Sequence, residues 1–137
     1  MKSWHVSGIA VLFVLLFIGS RFLRSNRDSD GTGVSRETLK EWLDQGKDVY
    51  VLDVRSQEEY ESGHIPNAKN INYTDIPARL NELEPHRDHR IVVYCRTGRR
   101  SQIAIDSLKK AGFEKVYHLI GDMTGWKQAG LPVESVD

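Results

Sequence analysis

Three short segments rich in β-branched and aromatic residues constrain the fold more than any other feature of the sequence. They are DVYVLDV (48–54), IVVYC (91–95) and KVYHL (115–119). The first two are nearly continuous apolar runs, which is typical of strands that are covered on both faces. Helical segments lie between the three, and this alternation predicts a parallel β-sheet with helices on both faces. The sequence therefore predicts an α/β fold.

The connecting segments carry helix signals. Ser35 is a typical N-cap, and the helix that it begins presents Leu39 and Trp42 on its apolar face before Gly46 ends it. Further elements are predicted at 58–62, around Pro77, at 101–111 and at 122–129 (helices) and at 69–73 (a small strand). With these elements, residues 34–137 form one domain, which is large enough for a single modest core.

A long uncharged segment precedes this domain. Residues 3–20 contain no Lys, Arg, Asp or Glu, and as a helix they would extend about 27 Å, close to the thickness of the hydrocarbon core of a bilayer. We interpret residues 1–24 as a transmembrane anchor that contacts the membrane through residues 4–20, and residues 25–33 as a polar linker. A cleavable signal peptide is the alternative, although the end of the segment matches a cleavage site poorly.

The positive charges around this segment indicate an orientation. Lys2 precedes the segment, whereas Arg21, Arg24 and Arg27 follow it. Positive side chains concentrate on the cytoplasmic side of a membrane, so the sequence favours a cytoplasmic position for the domain. If the segment is instead removed as a signal peptide, a periplasmic or exported protein is expected.

The overall composition argues against several classes of protein. The net charge is zero, which gives no indication of nucleic-acid binding. Cys95 is the only cysteine, so an internal disulfide is excluded, and no CxxC or HxxxH spacing indicates a metal site. We therefore predict a protein that uses neither a metal nor a cofactor and has no nucleic-acid partner.

The single cysteine lies where a parallel sheet of this class binds its ligands. Cys95 ends the predicted strand 91–95, and ligands bind beyond the carboxyl ends of such strands. The turn that follows, CRTGRR, contains three arginines and Gly98, which can adopt a positive φ. Converging N–H groups, the start of a helix and the arginines all stabilise negative charge. We therefore interpret Cys95 as a nucleophile in its thiolate form rather than a buried structural cysteine.

Three motifs, in order and spacing, are similar to those of the single-domain rhodaneses, a family of sulfurtransferases. LDVRSQEEYESGHIPNAKNIN (52–72) resembles the first signature, YCRTGRRS (94–101) the active-site loop, and LIGDMTGWKQAGLPV (119–133) the C-terminal signature. The chain departs from the family at Asn67, where glycine is common, and at Asp122, which replaces the second glycine of a frequent Gly-Gly pair. Both departures are expected to affect only local turn geometry. The resemblance implies the rhodanese-like α/β sandwich.

The resemblance also implies an activity, in which a sulfane sulfur moves from thiosulfate or a related small anionic donor to a thiophilic acceptor through a Cys95 persulfide. The acceptor would be cyanide in an assay, and a thiol or a protein cysteine in the cell. The implied substrate-binding residues are those of the loop: Arg96, Thr97, Gly98, Arg99, Arg100 and Ser101. Their backbone amides are expected to form an anion cradle and the guanidinium groups to attract the donor. Asp53 and Arg55 are expected to pair with neighbours beneath the loop.

Two other functions remain as alternatives. Cysteine phosphatases need the pattern Cys-x5-Arg, but the sixth residue after Cys95 is Ser101, and Arg100 comes one residue early. The sequence therefore disfavours a phosphatase. The second alternative is a non-enzymatic sulfur carrier or protein-interaction module at the membrane, and the presence of Cys95 argues against a pure interaction module. His64 is interpreted as a hydrogen-bonding turn residue, because persulfide transfer needs no strong base once the thiolate exists.

Overall fold

The computed structural model describes residues 32–136, and its centre is a five-stranded sheet. The strands are β1 (Gly33–Val34), β2 (Val49–Asp53), β3 (Lys69–Asn70), β4 (Arg90–Tyr94) and β5 (Val116–Leu119). Their spatial order is β1-β5-β4-β2-β3. Every pairing is parallel, and β2 pairs with β4 along its full length. The predicted α/β class with a parallel sheet is confirmed.

The small strand predicted at 69–73 is shorter than expected, because β3 ends at Asn70. The chain nevertheless continues beside β2. The N–H groups of Ile71 and Tyr73 donate to the carbonyls of Asp53 and Val54, each at 3.1 Å. These bonds hold Tyr73 beside the carboxyl end of β2.

The helices are α1 (Arg36–Asp44), α2 (Gln57–Ser62), α3 (Leu80–Leu83), α4 (Arg99–Lys110) and α5 (Asp122–Gln128), with 3-10 turns at Ile76–Ala78 and Glu84–His86. Ser35 caps α1 as predicted, since its Oγ accepts the N–H of Thr38 at 3.1 Å. The helix predicted around Pro77 is divided into the first 3-10 turn and α3. Arg79 separates the two, because its backbone (φ −120°, ψ 20°) leaves helical geometry.

Alternation along β4 divides the core into two layers. Val92 and Val93 are both fully buried, and as successive strand residues they face opposite sides of the sheet. On the side of Val93 the core includes Leu108 of α4, whereas on the side of Val92 it includes Leu39 of α1 and Trp126 of α5. Trp126 is fully buried in the second layer. Helices therefore cover both faces of the sheet, with α4 on one face and α1 and α5 on the other.

The predicted membrane anchor (1–24) lies outside the described residues, as does most of the predicted linker (25–33). Gly33, the last residue of that linker, belongs to β1, so the sheet begins one residue before the predicted domain boundary. Within residues 32–136, no helix is both long and apolar enough to cross a membrane. The anchor therefore stays a prediction.

Candidate active site

Cys95 follows the last residue of β4 and begins a tight loop into α4. The loop is one residue shorter than predicted: β4 ends one residue earlier, at Tyr94, but α4 begins two residues earlier, at Arg99. Gly98 has φ 121° and ψ −21°, a conformation that residues with a Cβ rarely adopt. In this conformation the Gly98 N–H donates to Cys95 Sγ, at 3.0 Å. Glycine at this position therefore brings a hydrogen-bond donor to the sulfur.

The cysteine lies at a small cavity. Cys95 is 1% exposed, and it is one of the residues that line this cavity. The volume is about 260 Å³, and the lining residues are Tyr73, Cys95, Thr97, Arg99, Arg100 and Ile103. Pockets for drug-sized ligands typically measure about 300–1,000 Å³. A cavity of this size suits a small inorganic anion.

The structure assigns the residues of the predicted anion cradle to different tasks. Among the residues that the structure describes, Gly98 is the one whose backbone N–H donates to Cys95 Sγ. Thr97 lines the cavity. Ser101 is fully buried, and its Oγ donates to Asp122 at 2.8 Å. The sequence thus predicted the loop, but it did not distinguish residues that contact the sulfur from residues that support the loop.

The three loop arginines occupy three different environments. Arg100 donates two hydrogen bonds to Glu59 of α2, at 2.6 and 3.0 Å. Arg96 lies on another side of the loop, in a separate cavity of about 460 Å³ that it shares with Lys127. Arg99 is exposed and lines the Cys95 cavity, and its guanidinium makes no hydrogen bond or ion pair with residues 32–136. Arg99 is therefore the arginine that faces the cavity with an uncommitted charge.

The pair formed by Arg100 and Glu59 joins α4 to α2. The hydrogen bond from Arg100 lowers the pKa of Glu59 from its ordinary value of 4.5 to about 2, although burial acts in the opposite direction. The same hydrogen bond raises the pKa of Arg100. Glu59 also completes the capping box of α2 with Ser56. The Arg100 charge is thus held in one place at the wall of the cavity.

Asp53 and Arg55 form a buried ion pair at the end of β2. Arg55 Nη2 lies 2.7 Å from Asp53 Oδ2 and also donates to the carbonyl of Gly63, at 2.7 Å. The hydroxyl of Tyr94 donates to the same carboxylate at 2.7 Å, and burial together with this negative charge raises the pKa of Tyr94. Neither Asp53 nor Arg55 lines the Cys95 cavity. Their contacts fix the turn after β2 and the last residue of β4, Tyr94.

Asp122 is the site residue that sequence reasoning missed. Its side chain is buried beneath the loop, where Oδ1 accepts hydrogen bonds from the Cys95 N–H at 3.0 Å and from Ser101 Oγ at 2.8 Å. His118 Nε2 lies 3.0 and 2.9 Å from the two carboxylate oxygens. Burial opposes ionisation, but the hydrogen bonds from His118, Cys95 and Ser101 outweigh it and lower the pKa of Asp122.

The residues after Asp122 hold the backbone of the loop. The N–H of Met123 donates to the Cys95 carbonyl at 3.0 Å, and Thr124 donates to the Arg96 carbonyl through its N–H and its hydroxyl. The start of α5 therefore fixes the first two residues of the loop. Asp122 was expected to affect only local turn geometry; it does have φ 50°, but it also contacts Cys95 and Ser101 of distant segments. The signal that could have revealed its role was a carboxylate at a position that favours glycine.

His64 has the role that the sequence predicted. It is buried, its Nδ1 lies 2.8 Å from the carbonyl of Tyr60, and its ring stacks on the Tyr60 ring at 3.8 Å between centroids. It does not line the Cys95 cavity. Within residues 32–136, no group of three or more His, Cys, Asp or Glu side chains is arranged to hold a metal ion.

Known proteins resemble this chain in sequence and in fold. The sequence model of the rhodanese-like domain matches residues 35–129. A sulfurtransferase of Allochromatium vinosum is 35% identical over 100 residues, which are 73% of this chain and 92% of that protein. YrkF of Bacillus subtilis, provisionally named a sulfur carrier protein, is 38% identical over 93 residues, and the match covers 68% of this chain and 49% of YrkF.

The fold comparison agrees with the sequence comparison. The crystal structure of a thiosulfate sulfurtransferase from Pseudomonas aeruginosa superimposes with a TM-score of 0.70 and 29% identity. The superposition covers 77% of this chain and 20% of that enzyme. This chain therefore spans about half of YrkF and a fifth of the Pseudomonas enzyme, but nearly all of the Allochromatium protein.

Proposed function

This chain belongs to the rhodanese-like domain family, and we propose that it is a sulfurtransferase that carries sulfur as a persulfide on Cys95. The observation that carries the proposal is the contact between Cys95 Sγ and the Gly98 N–H, at 3.0 Å, in a cavity lined by two arginines. The family's relatives include a sulfurtransferase and a protein named as a sulfur carrier. Both names describe proteins that handle transferable sulfur.

The proposed reaction has two covalent steps. In the first, the Cys95 thiolate attacks the outer sulfur of thiosulfate, the S–S bond of the donor breaks, and sulfite leaves with the electron pair of that bond. Cys95 then carries a persulfide with one negative charge. In the second step an acceptor such as cyanide attacks the outer persulfide sulfur, so thiocyanate leaves and the thiolate returns. No external oxidant or reductant is needed, and the scheme is a ping-pong cycle.

The loop places hydrogen-bond donors and positive charges around the sulfur, which is an anion both as a thiolate and as a persulfide. A thiolate and a persulfide are both anions, so the Gly98 N–H stabilises the resting nucleophile and the intermediate alike. Arg100 contributes a positive charge that Glu59 holds in place. Arg99 contributes one that is free to contact the donor. Thiosulfate, a small dianion, fits these features in size and in charge.

The geometry favours this reaction over phosphate-ester hydrolysis. A cysteine phosphatase needs an arginine at the sixth position after the nucleophile to grip two phosphate oxygens. In this chain that position is Ser101, whose buried hydroxyl is committed to Asp122. The preceding residue, Arg100, is committed to Glu59. We infer that the loop holds a single sulfur atom rather than a tetrahedral phosphate.

The acceptor and the cellular setting are part of the proposal. The rim of the cavity includes Ile103, which is 42% exposed, and Tyr73, so a protein thiol could reach the sulfur across a partly apolar edge. We propose a thiol or a protein cysteine as the acceptor. A membrane position through residues 1–24 is proposed from the uncharged segment of the sequence.

The transfer of sulfur from thiosulfate to cyanide tests the proposed function. The wild-type protein is expected to produce thiocyanate, and Cys95→Ser to lose the activity, because a serine hydroxyl forms no persulfide. Since Cys95 is the only cysteine, no second thiol can replace it. Circular dichroism of Cys95→Ser serves as the folding control. Substantial thiocyanate production by a folded Cys95→Ser protein would contradict the proposal.

A further inference from the structure

Asp122 combines two features that are unfavourable on their own. Its backbone has φ 50°, in the left-handed region, which residues other than glycine adopt much less readily. The residue is 1% exposed, and a buried carboxylate is costly unless it is hydrogen-bonded. Asn67 also has a left-handed backbone (φ 67°), but Asn67 is exposed and carries no charge. Turn formation alone therefore does not explain a carboxylate at position 122.

The contacts of this carboxylate are concentrated on the active-site loop. It accepts hydrogen bonds from Cys95, the first residue of the loop, and from Ser101 in the first turn of α4. It also lies beside Gly98, the last residue of the loop, because a Cβ built on Gly98 would be 3.2 Å from Asp122 Oδ2. One side chain therefore bonds the first residue of the loop and the first turn of α4, and it lies beside Gly98 between them.

His118 also holds the carboxylate. Its Nε2 is within 3.0 Å of both oxygens of Asp122, and its ring lies at β5, next to the loop in the sheet. The ring also comes close to Gly98, since the Cβ built on that glycine would be 3.6 Å from His118 Cε1. The side chains of His118 and Asp122 therefore both pack close to Gly98.

We propose that Asp122, held by His118, is the positioning residue for the Cys95 nucleophile. The carboxylate fixes the start of the loop at Cys95 and the start of α4 at Ser101, so that the Gly98 N–H points at Cys95 Sγ and the sulfur faces the cavity. Asp122 acts through the loop and touches neither the donor nor the sulfur. This inference rests on the proposed sulfur transfer for its kinetic test, but the geometry of the thiol can be tested without a sulfur donor.

Two substitutions separate the carboxylate's position from its charge. Asp122→Gly accommodates the left-handed backbone but removes every hydrogen bond to the loop. Asp122→Asn keeps an oxygen at the place of Oδ1, which can still accept from Cys95 and Ser101. Asn67→Gly is the matched control, because it also introduces glycine at a left-handed position but lies outside the Cys95 cavity.

The kinetic test measures persulfide formation from thiosulfate in single turnovers of the full-length protein. A displacement of reacting atoms by about 1 Å can cost about a hundredfold in rate. We therefore expect Asp122→Gly to lower the rate constant at saturating thiosulfate by about tenfold to a hundredfold. The KM for thiosulfate should change less than about twofold, because Arg99 and Arg100 are untouched. Asp122→Asn should stay within about threefold of the wild type, and Asn67→Gly should match it.

Alkylation of Cys95 by neutral iodoacetamide is the second measurement, and it requires no sulfur transfer. Asp122→Gly is expected to change this rate by more than about fivefold at a temperature well below its Tm, whereas Asn67→Gly is not. If the wild type takes up no sulfur but Asp122→Gly alters alkylation, the proposed function fails and the positioning role stands. Wild-type rates in both measurements for Asp122→Gly would overturn the inference. Equal impairment of Asp122→Asn would also overturn it, because charge rather than position would then be decisive.

Discussion

At the scale of single residues, the loop arginines differ in their environments although they carry the same charge. Arg96 and Arg99 carry the same charge and lie close to Cys95 along the chain, but only Arg99 lines the cavity of the cysteine. A pair of charges a few ångströms apart near a partly exposed site is worth on the order of 1–4 kcal/mol before salt screening. The two residues therefore form a matched pair for an electrostatic test.

Arg99→Gln is expected to lower kcat/KM for thiosulfate by about tenfold at low ionic strength, which corresponds to about 1.4 kcal/mol. Arg96→Gln should have a much smaller effect. The difference between Arg99→Gln and the wild type should shrink as salt is added, because salt screens the attraction between Arg99 and thiosulfate that only the wild type has. If the two variants behave alike at low ionic strength, Arg99 does not attract the donor.

Individual residues also show where prediction from sequence succeeds and where it fails. The position of Cys95 and the need for glycine at Gly98 follow from local rules, because a strand end and a positive φ depend on nearby residues alone. The partners of Arg100 and Asp122 are long-range: Glu59 is 41 residues away from Arg100, and Cys95 is 27 residues away from Asp122. No local pattern reports such contacts. The sequence therefore predicted a candidate nucleophile and missed the carboxylate that bonds the loop from a distance.

At the scale of secondary-structure elements, the pair formed by Glu59 and Arg100 joins α2 to the start of α4. The pKa of Glu59 is about 2 in the folded protein and 4.5 for an unperturbed carboxyl group. A depressed folded pKa contributes stability above pH 4.5, and this contribution is lost as pH falls from about 4.5 to about 2. Because the Glu59 side chain is 33% exposed, solvent screening limits the contribution to about 1 kcal/mol.

Glu59→Gln should therefore lower the free energy of unfolding by about 1 kcal/mol at pH 7. Glutamine can still complete the capping box of α2, so the substitution removes the ion pair and keeps the cap. Urea titrations at pH 7 and at pH 3 should show a smaller difference between variant and wild type at the lower pH. Glu82→Gln removes an exposed pair with Arg79 and is the control, with a smaller effect. A difference that is the same at both pH values would contradict this account.

The elements also differ in how well their extents could be predicted. The long amphipathic helix α4 and the central strands β2 and β4 match their predicted positions to within two residues, because their periodicity is strong. The two-residue strands β1 and β3 are too short to show a period. They exist because neighbouring strands offer backbone partners, and such pairing is a property of the sheet rather than of the local sequence.

At the scale of the whole molecule, the uncharged segment at residues 3–20 predicts how the protein behaves in cells. Full-length protein is expected to fractionate with membranes and to resist extraction by alkaline carbonate. A version that begins near residue 31 is expected to remain in the supernatant and to retain the activity. A mature chain that starts close to Arg21 in cells would show that the segment is a cleaved signal peptide, and an exported protein would then replace the membrane-anchored one.

The persulfide on Cys95 is the central claim, and intact mass spectrometry of the full-length protein tests it most directly. After treatment with thiosulfate, the wild-type protein is predicted to gain the mass of one sulfur atom, and subsequent cyanide should remove that gain. Cys95→Ser should show no gain under the same conditions. A wild-type protein whose mass is unchanged by thiosulfate, or a sulfur atom that is gained equally by Cys95→Ser, would contradict the account.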